Sequence, residues 1–343
     1  MKQIKIVFPL LLIFNIIFFS CSKDEDTQEE ENPTGLTVYV AGIEDHNSET
    51  SYAKLWKNGN PINLSNNSTY ATAHSVHVSG NDVYVAGEEL AGNAYIAKVW
   101  KNDIATNLTT GAVNANANAL FVSGSDVYVG GMEGLEAKIW KNGVGTNVSG
   151  GFQSRINSLF VSENDVYAAG WLVPTTEFNA VIWKNGALTK LTDGTKYAGA
   201  TSVYVYDNDV YVGGYEYNNN TDKVLIAKIW KNGIAINLTD GTKDALVESV
   251  FVFEDDVYAV GMINKGSLFQ DAATIWKNGV ITELTDGNHH ARAYSVFVHE
   301  GDVYVAGVES NGSQDVAKVW KNGVATNLTN GTKLARAYSV FVK

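Results

Sequence analysis

The stretch AKLWKNG at residues 53–59 recurs almost unchanged along the chain. Related copies begin at positions 97, 137, 180, 227, 273 and 317, so the spacing is about 44 residues. A fixed period of this size is typical of propellers and solenoids. The repetition has two interpretations. The copies are either seven equivalent binding sites, or seven structural units whose shared residues build the fold.

Each repeat contains four short segments in the same order. The tryptophan segment is the second of them, and an NLT-like segment is the third. Enrichment in Val, Ile and aromatic residues, with alternation, predicts one β-strand per segment. Four strands in each of seven repeats predict an all-β fold, a seven-bladed β-propeller with four antiparallel strands per blade. The first segment, VYVAG or a variant, begins at Val38, Val83, Val127, Val166, Val210, Val257 and Val303. The last, SVFV or a variant, begins at Ser75, Ala119, Ser158, Ser202, Ser249, Ser295 and Ser339.

The ends of the repeat region predict how the ring closes. The strands of a blade are counted differently from the segments of a repeat, because the SVFV segment is expected to form the first strand and the VYVAG segment the second. The chain's first complete segment starts at Val38, so it begins on a second strand, and the chain stops at 339–343 on a first strand. We therefore predict that strand 339–342 joins the N-terminal strands and completes their blade. Closure of this kind hides the edge strands and needs no capping repeat. The propeller is predicted to span residues 36–343.

The turns predict two different faces of the disc. Asn-Gly follows Trp-Lys in six repeats and indicates a type I′ hairpin, whereas Asn102-Asp103 in the remaining repeat predicts a looser turn. Both tight hairpin turns of a blade lie on one face, which we call the hairpin face. The other two connections lie on the opposite face, the loop face. Its loops differ in length, as MEGLE at 132–136 and YEYNNNTDKVLI at 215–226 illustrate.

The segment DVYVGG at 126–131 and 209–214, followed later by a tryptophan, loosely resembles the kelch repeat. That resemblance implies a propeller as well. The other five repeats lack the pair of glycines. We interpret the likeness as shared propeller physics rather than membership of the kelch family.

The residues that all repeats share favour the structural interpretation. An alanine stands three positions before each tryptophan of the repeat, which predicts a packing site where blade faces meet. The lysine after each tryptophan is expected to pair with an aspartate that opens the neighbouring strand. The eighth tryptophan, Trp171, follows AAG and is expected to extend its strand. The aspartates are Asp82, Asp126, Asp165, Asp209, Asp256 and Asp302.

The first residues predict export and a lipid anchor. Residues 1–20, with Lys2, Lys5 and an apolar run, have the pattern of a signal peptide. The ending FFSC at 18–21 resembles the lipobox of bacterial lipoproteins, which implies that Cys21 is acylated. The alternative is an incidental cysteine at an ordinary cleavage site.

Residues 21–35 then form an acidic tether with six carboxylates. The run after Cys21 resembles the surface-export signal of lipoproteins from the Bacteroidetes phylum. This implies a lipid-anchored protein on the outer face of the outer membrane. The alternative is a solvated spacer facing the periplasm.

A net charge of −12 argues against a nucleic-acid partner.

Variation among the repeats predicts where a ligand binds. Variable loops on a rigid scaffold commonly carry function, so the loop face around the central channel is the candidate site. Cationic and aromatic residues are concentrated there in successive blades, which suits an anionic ligand such as a uronate or sulfated glycan. The alternative is a recent duplication of two repeats, since ARAYSVFV occurs twice. The candidate binding residues are His74, His289, His290, Arg292, Tyr294, Arg336 and Tyr338.

The sequence leaves three classes of function open. The favoured one is a surface binding module for a glycan or a partner protein in nutrient capture. The second is a polysaccharide lyase at the propeller mouth, with Tyr or His as base and Arg neutralising the uronate. The third is a structural or assembly lipoprotein. No cofactor or metal site is predicted, because the adjacent His289 and His290 cannot easily face one ion.

Overall fold

The computed structural model describes residues 35–266 and 270–343. The chain divides into two units, Met1–Gly35 and Leu36–Lys343, and every strand described belongs to the second. The predicted signal peptide, Cys21 and the acidic tether up to residue 34 lie outside the described residues. Within the described part of the chain, no helix has the length and apolar character needed to cross a membrane.

The second unit consists of seven four-stranded antiparallel sheets, the blades, arranged in a ring. Blade 1 contains β1 (Val38–Asp45), β2 (Ser51–Lys57), β3 (Asn60–Asn63) and β28 (Ala335–Val342). Blade 2 contains β4 (Ala71–Ser79), β5 (Asp82–Ala91), β6 (Ala94–Lys101) and β7 (Ile104–Asn107). Blade 3 contains β8 (Ala115–Ser123), β9 (Asp126–Glu133), β10 (Glu136–Lys141) and β11 (Val144–Asn147). Blade 4 contains β12 (Gln153–Ser162), β13 (Asp165–Val173), β14 (Asn179–Lys184) and β15 (Ala187–Lys190).

The last three blades repeat the same order. Blade 5 contains β16 (Ala198–Tyr206), β17 (Asp209–Tyr217), β18 (Leu225–Lys231) and β19 (Ile234–Asn237). Blade 6 contains β20 (Ala245–Phe253), β21 (Asp256–Asn264), β22 (Asp271–Lys277) and β23 (Val280–Glu283). Blade 7 contains β24 (Ala291–His299), β25 (Asp302–Ser310), β26 (Asp315–Lys321) and β27 (Val324–Asn327).

The ring closes as predicted. In blade 1 the C-terminal strand β28 pairs antiparallel with β1, with Val340 opposite Val40, and so supplies the innermost strand. Thr37 and Lys343 exchange two backbone hydrogen bonds, of 2.6 and 3.0 Å. The strand begins at Ala335 rather than at 339, because its pairing with β1 continues beyond a local irregularity toward the loop face.

The repeated tryptophans form the contacts between blades. All seven are at most 2% exposed, so the prediction that they pack between blade faces is confirmed. Each indole shares a buried cluster with the repeated alanine of the preceding blade, because a side chain that small leaves room for the ring. The pairs are Trp56 with Ala317, Trp100 with Ala53, Trp140 with Ala97, Trp183 with Ala137, Trp230 with Ala180, Trp276 with Ala227 and Trp320 with Ala273.

Serine hydroxyls add polar contacts between the innermost strands. The Oγ of Ser202 accepts a hydrogen bond of 3.0 Å from the backbone N–H of Val250 in the next blade. Equivalent bonds are accepted by Ser75, Ser158, Ser249, Ser295 and Ser339. The serine of the SVFV segment therefore stabilises the contact between neighbouring blades.

The turns that follow the repeat tryptophans are alike in all seven blades. Both central residues of these turns have positive φ, including Asn102 at 48° and Asp103 at 67°. The prediction of a looser turn there was wrong, because aspartate tolerates the left-handed region nearly as well as asparagine. The predicted pairs of lysine and aspartate are confirmed in six blades, as between Lys277 and Asp256 at 2.7 Å. In each of these blades the turn asparagine also donates to the aspartate, as Asn278 does to Asp256.

A β-bulge interrupts every innermost strand. In each case one residue is skipped in the pairing with the second strand, as Glu248 is between Val247 and Ser249. Bulges re-aim the side chain that they carry. Opposite every bulge, the glycine of the VYVAG segment lies so close to the innermost strand that a Cβ would come within 1.9–2.2 Å of a backbone carbonyl oxygen. The bulged residues are His74, Asn118, Asn157, Thr201, Glu248, Tyr294 and Tyr338.

The double glycines that resemble kelch repeats have a packing explanation. A Cβ on Gly213 would meet a Val247 methyl group at 2.6 Å, and one on Gly130 would meet Ile156 at the same distance. The other five blades carry Ala or Val here and face an alanine of the next blade. The extra glycine therefore compensates for a larger neighbour.

Candidate functional site

The seven bulged residues together line a cavity of about 150 Å³ in the central channel. We call them the channel ring. Four of the seven predicted binding residues lie in the channel ring or against it. His74, Tyr294 and Tyr338 belong to the channel ring, and Arg292 packs against Tyr294. Pockets that enclose small-molecule ligands usually measure about 300–1,000 Å³. A large ligand would therefore lie across the mouth of this channel rather than inside it.

A second ring, toward the hairpin face, consists entirely of aromatic side chains. Neighbouring ring centroids are 4.6–5.1 Å apart, and the seven contacts close on themselves around the channel. We call it the aromatic floor. Each member lies three residues beyond a member of the channel ring, so the two rings are successive layers. The floor consists of His77, Phe121, Phe160, Tyr204, Phe251, Phe297 and Phe341.

His77 makes the stability of the floor dependent on pH. Burial lowers the pKa of His77 to about 4. Since the unfolded chain holds its histidine proton with a pKa of about 6.5, acid favours unfolding. The stability that the neutral His77 contributes to the folded state is fully present above pH 6.5 and is lost as the pH falls toward 4. We expect a loss of about 2 kcal/mol, allowing for solvent in the channel.

The substitution His77→Phe tests this dependence, because five other blades carry Phe at the position. Urea unfolding at pH 7 and pH 4 should show a smaller loss of stability in acid for the variant than for the parent. Equal losses for the two proteins would contradict the assignment to His77.

One half of the channel ring uses its polar groups to hold the next blade. Asn118 donates to the carbonyl of Ile156 at 2.7 Å, and its Oδ1 accepts from Arg155. Asn157 donates to the carbonyl of Ala200 at 2.9 Å, and Thr201 donates to that of Val247 at 2.7 Å. These residues are satisfied within the fold, and their role is structural.

The other half of the ring is aromatic and charged. Arg292 forms an ion pair with Glu248 and lies over the ring of Tyr294, 5.6 Å from its centroid. The Tyr294 and Tyr338 rings are 5.1 Å apart, and Tyr338 is 5.6 Å from His74. The Nε2 of His74 lies 2.9 Å from a carboxylate oxygen of Glu88. The predicted residues of the channel are thus in mutual contact.

The remaining predicted residues line a second cavity of about 370 Å³ on the loop face. His289, His290 and Arg336 surround it together with Asp315. Arg336 donates to Asp315 at 2.7 Å, and Nδ1 of His290 lies 3.0 Å from Asp271. The volume is within the range of small-molecule pockets. The sequence-predicted cluster is therefore divided between two adjacent cavities.

Four side chains of the predicted cluster have a carboxylate partner. The pairs are His74 with Glu88, His290 with Asp271, Arg292 with Glu248 and Arg336 with Asp315. Burial opposes the charge on Arg292, but Glu248, Tyr294 and Tyr215 together raise the pKa of Arg292. Burial also opposes the charge on Arg336, but nearby Tyr294 and Asp315 raise its pKa. Glu248 and Asp315 therefore offset the positive charge of these two arginines.

A further group of aromatic side chains on the loop face was not predicted. Trp171 lies in β13 as expected, but its ring also packs on Phe178 at 4.7 Å, and Phe178 packs on Tyr197 at 5.1 Å. These residues come from three separate segments of blades 4 and 5. The sequence signal that could have indicated this group is the tryptophan at position 171, because the equivalent residues of blades 2 and 7 are Glu88 and Val308.

Among residues 35–266 and 270–343, no group of three or more His, Cys, Asp and Glu side chains is arranged to hold a metal ion.

Comparison with known proteins adds a likeness of fold. No family model and no curated protein sequence matches the chain. Among solved structures, the β-propeller domain of the Trilobed protease from Pyrococcus furiosus, described as having an open velcro topology, is similar with a TM-score of 0.49. The sequences are 13% identical, and the match covers 85% of this chain and 97% of that chain. At this identity the likeness concerns the fold alone.

Proposed function

We propose that the chain is a lipid-anchored binding protein that captures glycans on its loop face at the cell surface. The observation that carries the proposal is the contact series His74, Tyr338 and Tyr294 at the channel mouth. Tyrosine presents an apolar face and a polar edge, which suits a sugar ring with its C–H face and its hydroxyl groups. The bordering ion pairs supply both hydrogen-bond donors and acceptors.

The location in this proposal rests on the N-terminal segment. An acylated Cys21 would anchor the protein, and the acidic run after it resembles the surface-export signal of Bacteroidetes lipoproteins. Exposure at the outer membrane would place the loop face within reach of external polysaccharide.

The electrostatics of the mouth favour binding over a lyase reaction. A tyrosine that acts as base needs a pKa close to the working pH. Burial raises the pKa of Tyr294, and it raises that of Tyr338 as well. Neither hydroxyl is therefore prepared to abstract a proton, and the paired arginines are less available to neutralise a uronate.

Retention on immobilised polysaccharides tests the proposal. The full-length protein is passed over starch, xylan, mannan and β-1,3-glucan as neutral probes, and over polygalacturonate and chondroitin sulfate as anionic probes. We expect retention by at least one probe, and about tenfold weaker retention for Tyr294→Ala or Tyr338→Ala, since a lost stacking contact is worth roughly 1.4 kcal/mol.

The matched control is Tyr206→Ala, which removes a half-buried tyrosine at the hairpin-face end of β16. Its retention should equal that of the parent. Failure of the parent to bind any of the six probes would contradict the proposed function, as would an equal loss in the control and the mouth variants.

A further inference from the structure

Five half-buried aromatic side chains form a continuous row on the loop face of blades 4 and 5. We call them the blade 4–5 row. Ring centroids lie 4.7 Å apart for the first pair, 5.1 Å for the second, and 5.7 and 5.0 Å for the contacts of Tyr197 with the last two. The members are Trp171, Phe178, Tyr197, Tyr215 and Tyr217.

The backbone holds this row in a fixed arrangement. The carbonyl of Phe178 accepts a hydrogen bond of 2.9 Å from Ala198 at the start of β16. The carbonyl of Tyr197 accepts another of 2.9 Å from Tyr217. These bonds join blade 4 to blade 5 and tie the loop to a strand. A preorganised aromatic surface loses little conformational entropy when a ligand binds.

Gly199 explains how one ring of the row reaches its place. A Cβ at Gly199 would come 2.7 Å from the hydroxyl oxygen of Tyr215. The corresponding position carries larger residues in other blades, such as Arg155 and Leu246. The absent side chain therefore provides the space into which Tyr215 extends toward the centre of the disc.

The row approaches the channel mouth at Tyr215. The hydroxyl of Tyr215 lies over Gly199, which is two residues before Thr201 of the channel ring on the same strand. It also lies 3.5 Å from the hydroxyl of Tyr197. The row therefore reaches the channel mouth at blade 5.

Carboxylates that border the row favour a neutral ligand. Asp244 accepts a hydrogen bond of 2.8 Å from the backbone N–H of Leu225, the residue paired with Tyr217, and Glu177 directly precedes Phe178. These carboxylates can accept hydrogen bonds from hydroxyl groups, but they repel an anionic chain. The protein as a whole carries a net charge of −12.

We infer that the blade 4–5 row is a second subsite, which stacks on the sugar rings of a neutral glycan long enough to extend from blade 4 to the channel mouth. This inference rests on the proposed function and specifies its ligand. Trp171 is the tryptophan that we expect to contact the ligand, because the seven repeat tryptophans are at most 2% exposed and cannot touch it.

The test compares two tyrosines that occupy equivalent positions. Tyr197 and Tyr70 each immediately precede an innermost strand, but Tyr70 lies in blade 2 and donates to the carbonyl of Ser48. Oligosaccharides of two and six sugars, prepared from whichever probe retains the full-length protein, are titrated against both Ala variants. We expect the gain in affinity from two to six sugars to fall about tenfold in Tyr197→Ala and to be unchanged in Tyr70→Ala.

Tryptophan fluorescence gives a second measurement that does not need an alanine variant. Binding of the six-sugar oligomer should change the emission of the parent, and Trp171→Phe should abolish most of that change while it retains an aromatic face for binding. An unchanged signal in this variant would overturn the inference.

The outcomes separate this inference from the proposed function. If no probe retains the parent, the proposed function fails and the inference fails with it. If a glycan binds but Tyr197→Ala keeps the full gain with length, only the blade 4–5 subsite is wrong. Retention by the anionic probes alone would likewise reject a neutral ligand while the proposed function stands.

Discussion

The substitution Trp230→Ala is expected to lower the free energy of unfolding by about 3–5 kcal/mol, which is the usual cost of removing a fully buried indole. Trp230 is 1% exposed and lies in one cluster with Ala180 and Tyr167 of the preceding blade. The variant would leave a cavity between two blades that their rigid sheets cannot close. Urea unfolding followed by circular dichroism measures the effect.

The eighth tryptophan supplies the control for this experiment. Trp171 is half-buried and lies on the loop face, so Trp171→Ala should cost no more than about 1.5 kcal/mol. Equal stability of Trp230→Ala and the parent would contradict the interpretation that the repeated WKNG segments hold the blades together.

The second large effect is expected from Gly214→Ala. A Cβ at this position would lie 2.1 Å from the backbone carbonyl oxygen of Gly199, and neither strand can move without disturbing the bulge. We expect a loss of about 3 kcal/mol or more, at the upper end of overpacking effects. Thermal unfolding would show it as a large fall in the melting temperature.

The neighbouring glycine offers a matched control. The double variant Gly213→Ala with Val247→Ala restores the pair of alanines that most blades have at this contact, so it should be far milder than Gly214→Ala. If Gly214→Ala proved as mild as the double variant, close approach at the bulge would not explain the glycine.

The fold was predictable from the sequence because it depends on local features that recur seven times. The period of the tryptophans predicted the number of blades, and the break at Val38 predicted the closing strand. The turn at Asn102 was mispredicted because a preference for Asn-Gly was treated as a requirement. The bulges were not predicted, since they depend on pairing with a second strand whose glycine looked like an ordinary strand residue.

The candidate site was predictable only in part. Position in the repeat correctly brought His74, Tyr294 and Tyr338 to one channel, because the same position in every blade faces the same axis. The ion pair of Glu248 with Arg292 depends on how adjacent blades pack, which no periodic signal encodes. The contact of Trp171 with Phe178 likewise depends on the path of one irregular loop.

Amide hydrogen exchange on the full-length protein, with and without the six-sugar oligomer of the polysaccharide that retains it, locates the binding surface directly. We expect slower exchange in the loop-face connections 191–197 and 287–290, with no change at the hairpin turns that follow the tryptophans. Protection of the hairpin turns instead, with unaltered exchange on the loop face, would show that the ligand binds at the WKNG copies and would contradict a loop-face site.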